Sequence, residues 1–360
     1  MDRRAFLASG AALGSAALAG CGILSTEPSS TGIPPVLEDR PDGVYIPTHV
    51  EGMEMIGTAE AGDYAFALMY SYAHRFWNVN GTSTQFTEID DGDAVHLMAS
   101  VWDPETGTVL PETGLSIEVT RDGDVVSQEV IYPMLSQPMG FHYGANFGLD
   151  DGAEGTYTVD LSVGGMSTRR TGGFQGTFGD PATATIDFEY SESEKNDISY
   201  EERDDAGERG ALEPMSMEMV PDSTAPAEGE LPGTVLGSGR SNDAVLLTTL
   251  LDSPPAGVDG DGQYLAVSAR SRYNEMIVPA MGLSGTLTRG GESVFDGELR
   301  RTLDSDLGYH YGATVEDVQS GDELTLSVTT PAQTARHEGY ETAFGGSGRE
   351  TPDVAIDVEL

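Results

Sequence analysis

Short apolar runs with alternating polar positions recur along most of the chain, and helical periodicity is scarce. Residues 64–73 form an apolar and aromatic run. Residues 94–102 alternate and end in Asp103-Pro104-Glu105-Thr106-Gly107, a turn signal. Residues 115–120 and 125–130 flank an Arg121-Asp122-Gly123-Asp124 turn, which reads as a hairpin. Residues 157–163 and 184–190 alternate in the same way, with Tyr, Val, Leu, Ile and Phe on one face. About seven such strands at regular spacing predict an antiparallel, immunoglobulin-like β-sandwich over residues 45–190.

The same grammar returns in residues 243–360. Residues 264–270 parallel 94–100, residues 282–291 parallel 114–123, and residues 354–360 parallel 184–190. Tyr309-His310-Tyr311-Gly312-Ala313 repeats Phe141-His142-Tyr143-Gly144-Ala145, 168 residues later. Ordered blocks in one register predict two tandem sandwiches, so the fold class is all-β. Between them, residues 191–242 are acidic and rich in Gly, Pro and Ser, which reads as a linker or disordered bridge. Residues 211–220 within it are an alternative start of the second domain.

The N-terminus reads as an address. Arg3 and Arg4, a short small-residue apolar run, and Leu18-Ala19-Gly20-Cys21 fit a twin-arginine export signal over residues 1–21 with a lipobox. Cleavage before Cys21 and lipid attachment to its sulfur would leave residues 22–44 as a flexible tether, with the protein on the extracytoplasmic face of the membrane. Cys21 is the sole cysteine, so no disulfide forms within the chain.

Charge narrows the partners. Sixty acidic residues against 18 basic ones give a formal net charge of −42, which repels nucleic acid and anionic headgroups. Acid scattered along the chain, with Lys195 as the single lysine, reads as a surface adapted to high salt. No Gly-x-Ser-x-Gly elbow, His-Glu-x-x-His motif, P-loop or dinucleotide fingerprint is present, so no enzymatic activity is expected.

The candidate chemistry is soft-metal binding. Residues 131–146 place Met134 and Met139 shortly before His142, and thioether with imidazole suits copper or a late first-row metal. His49 and Glu51 share a face if their segment is extended. His74, His310 and His337 are further candidates; His96, mid-strand, reads as structural or surface. Met215, Met217 and Met219 alternate, which suits either a soft-metal port or one apolar face of a strand.

His142-Tyr-Gly-Ala-Asn146, the upstream Met134, Gly155-Thr-Tyr157 and Glu51-Gly-Met-Glu-Met55 together resemble the periplasmic iron/copper-binding proteins associated with high-affinity iron permeases. The resemblance implies β-sandwiches that bind Cu(II) and a second cation such as iron, commonly as dimers, in support of iron uptake by a permease. It implies ligand roles for His142, Met134 and His74, and for a late histidine in an Arg-His loop. That loop reads Arg169-Arg170 in the first copy and Arg336-His337 in the second, while Thr302 stands where the second copy would need a methionine. Neither copy holds a full set. Either the copies pool ligands across their interface, as a dimer would, or the fold persists as a non-catalytic envelope interaction module without metal.

Overall fold

Alternation becomes sandwich in the first copy. The computed structural model describes residues 35–360. The expected signal residues Arg3 and Arg4, the expected lipidation site Cys21 and most of the expected tether lie outside the described residues. About half of the described residues are strand and 4% are helix. In the strand Gly155–Val163, Tyr157, Val159, Leu161 and Val163 are buried while the residues between them are half-exposed. That strand lies in a four-stranded sheet with Ala182–Tyr190, Ser116–Arg121 and Asp124–Val130. Asp122 and Gly123 take φ of 53° and 88° at the hairpin turn, as the Asp-Gly sequence requires.

The facing sheet runs Glu54–Ala61, Tyr64–Ser71, Val95–Trp102, Gly140–Phe147 and Tyr132–Ser136. Its strand Tyr64–Ser71 is buried on both faces. Tyr64, Phe66, Leu68 and Tyr70 enter the sandwich core; Ala67 and Met69 face a second apolar layer. That outer layer also holds Met53, Met55, Met98, Met139 and Met217, so unbranched thioethers fill much of it.

The second copy repeats the plan. Thr234–Ser241, Ala244–Leu251, Gln263–Ser271 and Gly308–Val315 pair in order. The long strand Glu292–Asp304 then pairs with Gly308–Val315 through its second half and with Gly282–Arg289 through its first. The two sandwiches pack as one compact unit, Val36–Leu360.

Residues 191–242, expected as an acidic linker, carry the helix Glu192–Asp197, the strand Tyr200–Glu202 and the strand Thr234–Ser241. Tyr200–Glu202 pairs with His49–Glu51. Val220, Ser223 and Ala225 are buried, and the Ser223 hydroxyl accepts from the Phe141 amide at 2.7 Å. Polar composition does not prevent order here, because the segment docks through backbone pairing and scattered buried side chains such as Ile198, Val220, Leu231 and Leu236 rather than through a periodic apolar face. Met217 packs in the methionine layer, whereas Met219 is exposed, so the alternating methionines do not share one environment.

Two short strands couple the copies. Ala335–Arg336 of the second copy inserts beside Tyr132–Ser136 of the first in parallel, with Ala335 opposite Met134. Its other edge pairs with Phe76–Asn80. Reciprocally, Arg169–Thr171 of the first copy pairs in parallel with Glu292–Asp304 of the second, with Arg169 opposite Thr302. Each copy thus lends a loop to the other.

Candidate metal centre

The exchanged loop of the second copy places a histidine over the first copy's sheet. His142 and Met134 face each other across an antiparallel pair. His96, on the neighbouring strand, lies opposite Asn146, so side-chain alternation puts His96 on the face shared by His142, Gly144 and Asn146. His337 arrives from the second copy, with its amide donating to the Leu135 carbonyl at 3.0 Å. One ring nitrogen from each of His96, His142 and His337 lies within 4.8 Å of the other two.

Hydrogen bonds at the opposite ring nitrogens define which atoms converge. His142 Nδ1 lies 3.1 Å from the Gly140 carbonyl, and His96 Nδ1 lies 2.7 Å from Asn146 Oδ1. Both neighbours are acceptors, so each Nδ1 carries the proton and each Nε2 is left with its lone pair. His96 Nε2, His142 Nε2 and His337 Nε2 are all buried without a hydrogen-bond partner. An orphaned buried polar atom costs about 1–3 kcal/mol, and an ion shared by the three rings would remove that cost. Three nitrogens each about 2.0–2.1 Å from one ion stand at most about 3.6 Å apart, so rings whose nitrogens lie within 4.8 Å of one another draw together by up to about 1.2 Å to hold it.

Gly144 opens the space. A Cβ there would lie 2.6 Å from His96 Nε2 and 3.0 Å from Met134 Sδ, so the thioether borders the same point as the imidazoles. Met134 is fully buried against Phe76 and Ala335. The donor set is three neutral nitrogens and one soft sulfur, which suits copper and excludes the oxygen-seeking calcium and magnesium.

A second layer of groups holds the rings. Asn146 Oδ1 accepts from the His74 amide at 3.0 Å as well as from His96, while its Nδ2 donates to the His74 carbonyl at 2.9 Å and to Asp93 at 3.1 Å. His74 packs its ring against His96 and His337, with centroids 4.6 and 5.1 Å away, and its Nδ1 lies 3.2 Å from Glu51 Oε2. The other Glu51 oxygen meets His49 Nε2 at 3.0 Å. His49, Glu51, His74, His337 and Glu338 then line a pocket together with Met53, Met98 and Met139. This pocket adjoins both the methionine layer and His337. Substituting Asn146 with alanine should free the His96 ring and lower copper affinity about 10–100-fold with the fold retained, as competition titration and circular dichroism would read. Unchanged affinity would mean that Asn146 does not orient the site.

Burial sets the protonation. It holds His96 down at about 3 and His142 at about 4, and it pushes His74 and His337 well below the ordinary histidine range, with repulsion between the rings adding to the effect. The rings are therefore neutral and available as ligands at ordinary pH. Below 6.5 the unfolded chain binds protons that the folded imidazoles refuse, so stability present above that pH is lost as pH falls toward 4. Each such ring contributes up to about 1.4 kcal/mol per pH unit across that window. The metal-free protein's unfolding midpoint should be level above about pH 7, then fall through this window, and fall less in a His96→Gln/His142→Gln variant. Parallel curves for the two proteins would contradict this.

The structure gathers His142, Met134 and His337 at one point, with His74, Glu51 and His49 beside it. It sets His310 apart in the second copy, where Tyr264 meets its Nε2 at 3.0 Å. His96, read from the sequence as structural or surface, is fully buried and belongs to the cluster. A histidine inside an otherwise apolar strand was the available signal.

Fold and site together define a duplicated β-sandwich protein with one interdigitated His–Met centre. The chain belongs to the family described as a domain of unknown function (DUF7350), whose profile matches residues 49–187 and 229–353. Comparison with curated proteins gives no match. Among solved structures, the chain is similar to a copper-bound variant of FetP from uropathogenic Escherichia coli, at 19% identity and a TM-score of 0.28, covering 38% of this chain and 97% of that one. It is also similar to 'as isolated' FetP of the same uropathogenic strain, recombinantly expressed in the periplasm of Escherichia coli, at 17% identity and a TM-score of 0.27, covering 39% of this chain and 95% of that one.

Proposed function

We propose that this protein is an extracytoplasmic, lipid-anchored copper-binding protein. The reading is carried by one observation: three clustered imidazoles, each with a buried Nε2 that has no partner, offer ring nitrogens within 4.8 Å of one another beside a buried thioether. In this reading the tandem copies pool ligands, with His96, His142 and Met134 from the first and His337 from the second. The protein carries the ion and catalyses no bond change on an organic substrate. The pocket lined by Met53, Met98, Met139, His49 and Glu51 is the entry for the ion. Support of ferrous iron uptake through a membrane permease extends the reading on the strength of the sequence motifs, and iron accumulation in cells lacking the protein tests it.

Titration of the mature, lipid-free protein with Cu(I), Cu(II), Fe(II) and Mn(II) tests the binding itself. We expect one equivalent of copper, held against calcium and magnesium in excess. Copper binding no tighter than about millimolar would leave the envelope interaction module as the better account.

A further inference from the structure

We propose that the second sandwich keeps the metal cradle and fills it with the guanidinium of Arg169, so that the chain binds one ion rather than two. The inference rests on reading the His96–His142–His337 cluster as a metal site. Moving 168 residues along the chain takes His142 to His310, His96 to Tyr264, Met134 to Thr302, Gly144 to Gly312, and Arg169 to His337. The strand pairings keep the comparison in register: His142 lies opposite Met134, and His310 lies opposite Thr302. Only the exchanged loops differ, by two residues of register, since Ala335 lies opposite Met134 and Arg169 opposite Thr302.

The cradle is still recognisable. His310 Nδ1 lies 3.0 Å from the Gly308 carbonyl, the same contact that His142 makes with Gly140, so its Nε2 is again the lone pair turned inward. What it meets is different. Tyr264 replaces His96, and its hydroxyl stands 3.0 Å from His310 Nε2. A Cβ at Gly312 would lie 2.1 Å from that hydroxyl, so the phenol fills the gap that His96 borders in the first copy.

Arg169 supplies the cation. Its Nη2 donates to the Tyr264 hydroxyl at 2.8 Å, to Thr302 Oγ1 at 2.7 Å and to the Gly312 carbonyl at 3.0 Å, and its Nε donates to Thr302 Oγ1 at 2.9 Å. These acceptors stand at the positions of His96, Met134 and Gly144. A guanidinium needs oxygen acceptors in fixed directions, and the two substitutions that spoil the cradle for copper, methionine to threonine and histidine to tyrosine, provide them. Tyr264 accepts from Arg169 and donates to His310, so no lone pair is left over. The first copy leaves three imidazole nitrogens orphaned at the corresponding place. One exchanged loop is thus latched by a built-in cation, and on this reading the other is latched by a bound metal.

The test restores the second cradle in the full mature chain with Arg169→His, Thr302→Met and Tyr264→His together, followed by Cu(I) titration against a competing chelator. We expect two equivalents where the unaltered protein takes one. A folded triple variant that takes one equivalent, like its parent, overturns the proposal. If the parent takes none and the variant takes one, the cradle stands and the reading of the first cluster fails; if both take none, this proposal fails as well. Arg169→Ala gives a reading that needs no metal. Its unfolding midpoint should drop, and millimolar methylguanidinium should restore it while leaving the parent unchanged. A midpoint that does not drop, or a drop that methylguanidinium leaves in place, counts against the guanidinium latch.

Discussion

Replacing His337 by alanine is expected to lower copper affinity about a hundredfold or more while both sandwiches stay folded. Groups that only orient a ligand cost 10–100-fold when removed, so the loss of a ligand sets that range as its floor, about 2.7 kcal/mol or more. His337 is the informative choice because it comes from the other copy. Its removal takes nothing from the core of the first sandwich, and Met134, His142 and His96 sit on regular strands of that sandwich. It also relieves the metal-free protein of one orphaned buried nitrogen. We therefore expect the metal-free variant to melt no lower than its parent, while the rise in midpoint on adding copper disappears. Equal copper affinity in variant and parent would place the ion elsewhere and remove the pooled-ligand account.

Arg336→Met should damage both the exchanged loop and the site. Arg336 is fully buried, and burial brings its guanidinium down to about 9. Its Nη1 donates to the Ala343 carbonyl and, at 2.7 Å, to that of Gly345; its Nη2 donates to Ala332 at 3.1 Å. These carbonyls belong to the loop that carries His337. Methionine fits the aliphatic stem but leaves the carbonyls without a donor, at about 1–3 kcal/mol for each that water does not reach. The gain from no longer burying a charge offsets part of this, and a net loss of about 2–4 kcal/mol is the expected result by chemical denaturation. Copper affinity should fall with it, because His337 adjoins the collapsed turn. Unaltered stability and affinity would show that the pairing of Ala335–Arg336 holds the loop alone.

The fold was largely legible because its signals are local. Alternation in residues 157–163 and 184–190, the Asp122-Gly123 turn and the repeated His-Tyr-Gly-Ala blocks each follow from neighbouring residues. Duplication was legible for the same reason. The centre was only half legible. His142 and Met134 share a hairpin, so their spacing carries information, whereas His96 meets them through sheet order and His337 through an exchange between copies. Neither relation leaves a periodic trace. Arg169-Arg170 in place of an imidazole read as a missing ligand, and only the contacts with Tyr264, Thr302 and Gly312 give the arginine a role. The segment 191–242 misled in the opposite direction, since its order comes from docking rather than from any pattern of its own.

Anomalous diffraction at the copper edge from crystals of the loaded protein addresses the central claim most directly. The account predicts one strong peak about 2.0–2.1 Å from Nε2 of His96, His142 and His337, on the Met134 side of Gly144. A peak at any other place, or copper-soaked crystals with no peak among these three rings, would contradict it.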